Sequence, residues 1–245
     1  PCLEEFYDDV FPTIREVTQP IPGAVDFIEW AFAAGHRVVI ATSPYFPRKA
    51  TQHRLRWAGL PPEKYPFALV SSYENFHFTK PNPAYLAEVL GRLGWPDEPV
   101  LMVGNDVEQD LIPAATLGLA TYHALDITPS ANGFASTGRG RLAELRPWLE
   151  QTDPATLMPV YSSSASLLAI LRSTPAALTG LLESLASDVL TARPAADEWS
   201  VTEILCHMRD VELEVDQPRI QQILGEDEPF VPARMPDEWA MARFY

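Results

Sequence analysis

Three apolar runs in the chain end in side chains capable of chemistry. Val100, Leu101, Met102 and Val103 lead into Gly104, Asn105 and Asp106, and Asp110 follows with three residues between the acids. Hard carboxylate oxygens on a tight turn suit magnesium, which is usually held by one or two carboxylates plus waters and substrate phosphate. The same acids also suit the first turn of a helix, where a carboxylate complements the macrodipole, so the residues alone leave both readings open. Val38 to Ala41 leads into the hydroxyls of Thr42 and Ser43, and the segment beyond the apolar run at 67–71 carries Lys80, Pro81, Asn82 and Pro83. In an open parallel sheet, ligands sit beyond the carboxyl ends of the strands, so hydroxyl, ammonium and carboxylates converge at one edge. Taken singly, Thr42 also reads as a helix N-cap and Lys80 as a solvated surface charge.

The surrounding pattern supplies the elements that must position them. Pro22 and Gly23 mark a turn, after which Ala24, Phe27, Ile28 and Ala31 form a helical stripe that stops at Gly35. Strands are expected at 38–41, 67–71, 100–103 and 119–122. Helices are expected at 47–58, from Asn82 as N-cap with Pro83 at the first position, and at 107–117. Alternation of this kind means an α/β fold, a Rossmann-like parallel sheet covered by helices. The pattern weakens after 126: 126–140 reads as a loop, 142–149 as a closing helix around Pro147, and 151–162 as a linker.

The chain has 245 residues, 47% of them hydrophobic, which is enough for a sizeable core. Its formal charge of −15 speaks against nucleic-acid or anionic-membrane partners, which require a basic face. Cys2 and Cys206 are its only cysteines, so a disulfide framework is not expected and a cytoplasmic location is the simpler expectation. No apolar run reads as a membrane span and no signal peptide is visible.

The motifs Val-Ile-Ala-Thr-Ser, Lys-Pro-Asn-Pro-Ala-Tyr-Leu and Val-Gly-Asn-Asp-Val-Glu-Gln-Asp, in that order, resemble those of the haloacid dehalogenase-like (HAD) hydrolases. The resemblance implies a core at 20–150 and the end of a helical cap at 1–19. It also implies a phosphatase that acts on a small phosphorylated metabolite through an aspartyl-phosphate. Carried over, it gives Thr42, with Ser43 beside it, a hydrogen bond to the phosphoryl group. Lys80 neutralises charge there, and Asp106 and Asp110 hold magnesium, with Asn105 standing where many relatives place the first acid. The family's nucleophile and its acid/base partner are two aspartates separated by one residue at the end of the first strand. No such pair occurs here, and family order puts it upstream of Pro1. The expectation is therefore a fragment without turnover of its own, in which strands 38–41 and 100–103 flank a gap about two strand spacings, roughly 10 Å, wide. The alternative is a non-catalytic module that binds a phosphorylated ligand.

The remainder is helical. Thr174 with Pro175 reads as a helix start carrying Leu178, Leu181, Leu182 and Leu185 on one stripe. Ser200 and Glu203 read as a capping box for a helix that buries Val201, Ile204, Leu205, Met208, Val211 and Val215. The neighbourhood of Trp199 and His207 resembles the DinB-like helical bundles, over about 163–245. That resemblance makes His207 one ligand of a second divalent transition metal and implies a thiol-linked transferase activity as a further alternative. Among the other histidines, His77 in the loop before Lys80 is the one placed to touch substrate; His36, His53 and His123 read as structural or solvated.

Overall fold

A left-handed turn at Gly23, with φ of 79°, releases the chain into helix α1 (Ala24–Ala33), and Gly35, with φ of 83°, follows its end. Beyond it come β1 (Val39–Ile40), α2 (Arg48–Trp57), β2 (Leu69–Val70), α3 (Pro83–Arg92) and β3 (Leu101–Gly104). A helical turn at Val107–Leu111 leads into α4 (Ile112–Leu117), then β4 (Ala120–Ala124), β5 (Gly138–Gly140), α5 (Leu142–Gln151) and α6 (Ser164–Leu182). The computed structural model describes residues 2–126 and 133–232. The expected loop at 126–140 thus lies partly outside the described residues, and its end forms β5, whose glycines gave no strand signal.

Among the described residues all the ladders are parallel, as the α/β reading requires, but they form two sheets rather than one. β1 pairs with β2, Val39 opposite Leu69, while β3 pairs with β4 and β4 with β5. Among the described residues no ladder joins β1 to β3. A shared core bridges the two, because Phe76, Tyr85, Leu86 and Leu90 pack with Met102, Ala114 and Leu117, and Val39, Ala41 and Leu69 lie against them. Helix α3 is buried on every side from Ala84 to Gly91. Such a helix belongs between layers rather than on a surface.

One of its neighbours is α6, which also corrects the expected helix start at Thr174. Pro175 lies inside α6, and at that turn the Ser173 and Thr174 hydroxyls donate to the Ile170 carbonyl at 3.0 and 2.9 Å. The buried face of α6 is made of Ser166, Ala169, Ser173, Ala176 and Ala177, not of the leucine stripe, whose Leu181 stays 45% exposed. Small residues allow close approach: a Cβ on Gly91 of α3 would lie 2.7 Å from the Ala177 Cβ. By length and composition α6 is also apolar enough to cross a membrane, contrary to the expectation that no run reads as a span.

The chain divides into compact units at 1–182 and 183–245. The segment read as a linker belongs to the first, since the Val100 N–H donates to the Leu157 carbonyl and the Val160 N–H to that of Gly118, both at 2.9 Å. Residues 2–17 form short helical turns in which Phe11 is buried and stacks on Trp57 of α2, 5.3 Å between ring centres. His53, read as solvated, has its ring 6.3 Å from that of Phe11.

The second unit is helical: α7 (Ser187–Thr191), α8 (Val201–Val211) and α9 (Gln217–Gly225). The capping box forms as read, with the Ser200 N–H donating to Glu203 at 2.7 Å and the Glu203 N–H to the Ser200 hydroxyl at 3.2 Å. The expected core face of α8 is less buried than its periodicity implied, Ile204 and Met208 being 44% and 41% exposed.

Candidate active site

The loop after β2 and the acidic loop after β3 meet at Asp110, while Thr42, just beyond β1, is held by Ser71 and Tyr85. The Lys80 ammonium donates to Asp110 Oδ1 at 2.5 Å, and the two residues are 8% and 7% exposed. Asp110 Oδ2 accepts the Asp106 N–H at 3.2 Å, so one carboxylate joins the lysine loop to the acidic loop. This approach needs a glycine at the end of β3. A Cβ on Gly104 would lie 2.4 Å from both Cβ and Oδ2 of Asp110.

Asp106 fulfils the capping reading of the acidic loop. Its Oδ1 accepts the N–H groups of Glu108 and Gln109 at 3.0 and 2.9 Å, while the side chain stays exposed. Asn105, beside it, is half-buried.

Thr42 is held through its backbone. Its carbonyl accepts from the Ser71 hydroxyl at 2.6 Å and from the Tyr85 phenol at 2.9 Å, both residues being fully buried. Burial pushes the Tyr85 phenol up, with Glu88 and Asp110 adding to it against the Ser71 hydrogen bond, so the hydroxyl stays a neutral donor. Ser43 is half-buried next to Thr42, and the Tyr45 hydroxyl reaches the Lys80 carbonyl at 3.5 Å. Sequence reasoning did not single out Tyr85, Ser71 or Glu88. The available signal was a tyrosine and a glutamate one turn apart in a helix that is apolar from Ala84 to Gly91 apart from them.

Magnesium requires hard oxygen donors and commonly keeps waters and substrate oxygens in its shell. Asp106, Asp110 and the Asn105 amide supply such donors in one loop, so the donor set fits. An ion there would share Asp110 with Lys80. Among the described residues no group of three or more His, Cys, Asp or Glu side chains is placed to hold a metal. His207, in α8, stands edge-on to Trp199 with 4.9 Å between ring centres. His77 is turned onto Glu88, its Nδ1 2.8 Å from Oε1.

Residues 3–118 match the family model of the haloacid dehalogenase-like hydrolases. Three solved structures are similar to the chain. A HAD phosphatase from Thermococcus onnurineus is 22% identical over 58% of this chain and 64% of its own, with a TM-score of 0.49. A protein from Thermotoga maritima described as a beta-phosphoglucomutase is 22% identical over 54% of this chain and 60% of its own, with a TM-score of 0.44. An uncharacterized protein from Listeria monocytogenes serotype 4b is 14% identical over 54% of this chain and 81% of its own, with a TM-score of 0.40. The chain thus spans less than two thirds of the length of the first two. No curated protein matches it.

Proposed function

We propose that the HAD-like domain serves a magnesium-dependent phosphatase acting on a small phosphorylated metabolite. The observation that supports this reading is the Lys80 to Asp110 contact, in which a compact ammonium meets the acidic loop that follows β3. In the proposed site Lys80 faces a phosphate oxygen, and Thr42 and Ser43 donate hydroxyls to the same group. A lysine suits that task as a point charge. Asp106 and Asp110, with the Asn105 amide, would hold magnesium, which offsets charge on the phosphoryl oxygens when bound.

The reaction proposed is displacement at phosphorus. An aspartate oxygen attacks phosphorus, the ester oxygen leaves with the bonding pair, and water then hydrolyses the acyl phosphate to release phosphate and return the carboxylate. The residues described here bind and neutralise the phosphoryl group.

A phosphate-release assay with magnesium tests this on residues 1–245 and on a form extended through the preceding coding sequence. Turnover is expected from the extended form alone, and Lys80→Ala should abolish it. Turnover by residues 1–245 that is lost on Lys80→Ala would place the nucleophile within them. Turnover by neither form would favour a module that binds a phosphorylated ligand without reacting.

A further inference from the structure

Glu88 is a carboxylate at the centre of α3 with no exposed surface. Burying such a group is costly unless donors satisfy it. Three do: the His77 N–H at 3.1 Å, the Phe78 N–H at 3.2 Å and the His77 imidazole at 2.8 Å from Nδ1. All three come from the segment that ends in Lys80. The opposite end of that segment is fixed by the same helix. Asn82 caps α3 by accepting the Ala84 N–H at 3.0 Å, and its own N–H closes a turn onto the Thr79 carbonyl at 3.0 Å. The loop 77–82 is therefore tied to α3 at both ends, with Lys80 near its tip and Asp110 as the partner of the tip.

We propose that Glu88 is a positioning residue for Lys80: it fixes the backbone at His77 and Phe78 so that the ammonium is delivered onto Asp110. The assignment rests on the reading of Lys80 as the phosphate-facing lysine for its importance, but not for its test. A negative charge is suited to the role because hydrogen bonds to a buried carboxylate are charge-assisted and directional. A neutral amide of the same shape keeps an oxygen for the two backbone N–H groups but loses the charge that strengthens those bonds, and its NH2 faces the His77 imidazole.

The test reads Lys80 directly. Acetylation of the intact chain by acetic anhydride, followed peptide by peptide by mass spectrometry, should label the buried Lys80 slowly and the half-exposed Lys49 and exposed Lys64 faster. Glu88→Gln is expected to raise the Lys80 rate by about tenfold with Lys49 and Lys64 unchanged, since charge-assisted hydrogen bonds are about twice as strong as neutral ones. General loosening of the fold would not be confined in this way. Tyr85→Phe, on the same helix but bonded to Thr42, should leave Lys80 labelling as in the parent. His77→Ala removes one donor and keeps the carboxylate, so it serves if Glu88→Gln does not fold; about a twofold rise is expected there. An unchanged Lys80 rate in the folded variant overturns the assignment.

Calorimetry with inorganic phosphate is the second arm. If the parent binds phosphate through Lys80, Glu88→Gln should weaken binding by about tenfold, and should have no further effect once Lys80 is alanine. Absence of phosphate binding in the parent would count against the phosphatase reading, while the labelling result would still decide the role of Glu88.

Discussion

Lys80 and Asp110 form a salt bridge at 2.5 Å between side chains that are each 10% exposed. Removing one partner from a buried pair leaves an uncompensated charge and costs about 3–5 kcal/mol, whereas replacing both by apolar groups of similar volume is often neutral. Lys80→Met and Asp110→Leu should each destabilise the chain by that order in urea unfolding, and the double variant should recover most of the loss. Near-additive losses in the double variant would show that the two charges do not depend on one another.

Gly104 should tolerate no side chain. A methyl group there meets the Asp110 carboxylate at 2.4 Å, and that carboxylate has nowhere to retreat without leaving Lys80. Gly104→Ala is expected to cost about 1–3 kcal/mol, the usual range for overpacking, and on the proposed function to weaken magnesium binding as strongly as Asp110→Ala does. Calorimetry that finds magnesium affinity unchanged in both variants would remove Asp110 from the metal site.

The order of motifs made the α/β class and the convergence of Lys80 with the acidic loop legible from sequence, because apolar runs ending in functional residues mark strand ends. The bracing of the site was not legible. Tyr85 and Glu88 act through backbone groups at Thr42, His77 and Phe78, and such partners leave no pattern in residue types. The extent of the first unit was misread for a related reason. Periodicity singled out leucines in α6, while the contact with α3 is made by serine and alanine, residues chosen for closeness rather than hydrophobicity. The capping box at Ser200 was legible because capping is local.

That close contact predicts a compensating pair. The Gly91 Cα faces the Ala177 methyl so tightly that Gly91→Ala brings two methyl groups to 2.7 Å. The single change should lower stability by about 1–3 kcal/mol through forced separation of α3 and α6. Adding Ala177→Gly relieves the clash, so the double variant should be more stable than Gly91→Ala alone despite the helix-interior cost of glycine, about 1 kcal/mol. Thermal unfolding of the four proteins measures this. A double variant less stable than both singles would show that the helices had already shifted apart.

The start of α8 should be acid-sensitive in a defined direction. The Arg193 guanidinium bonded to Glu203, and next the Ser200 N–H, hold the Glu203 carboxyl at about 2, below its ordinary 4.5. A folded pKa below the unfolded one means that the ionised carboxylate favours the folded helix start. That contribution is complete above pH 4.5 and is lost as pH falls toward 2. Side-chain carboxyl shifts followed by NMR should therefore give a Glu203 midpoint near 2. In Arg193→Gln, which removes the largest cause, the midpoint should move upward toward 4.5 while the Ser200 N–H keeps it from arriving there. A parent midpoint already at 4.5 would mean that the Arg193 contact does not persist in solution and that the capping box alone defines this helix start.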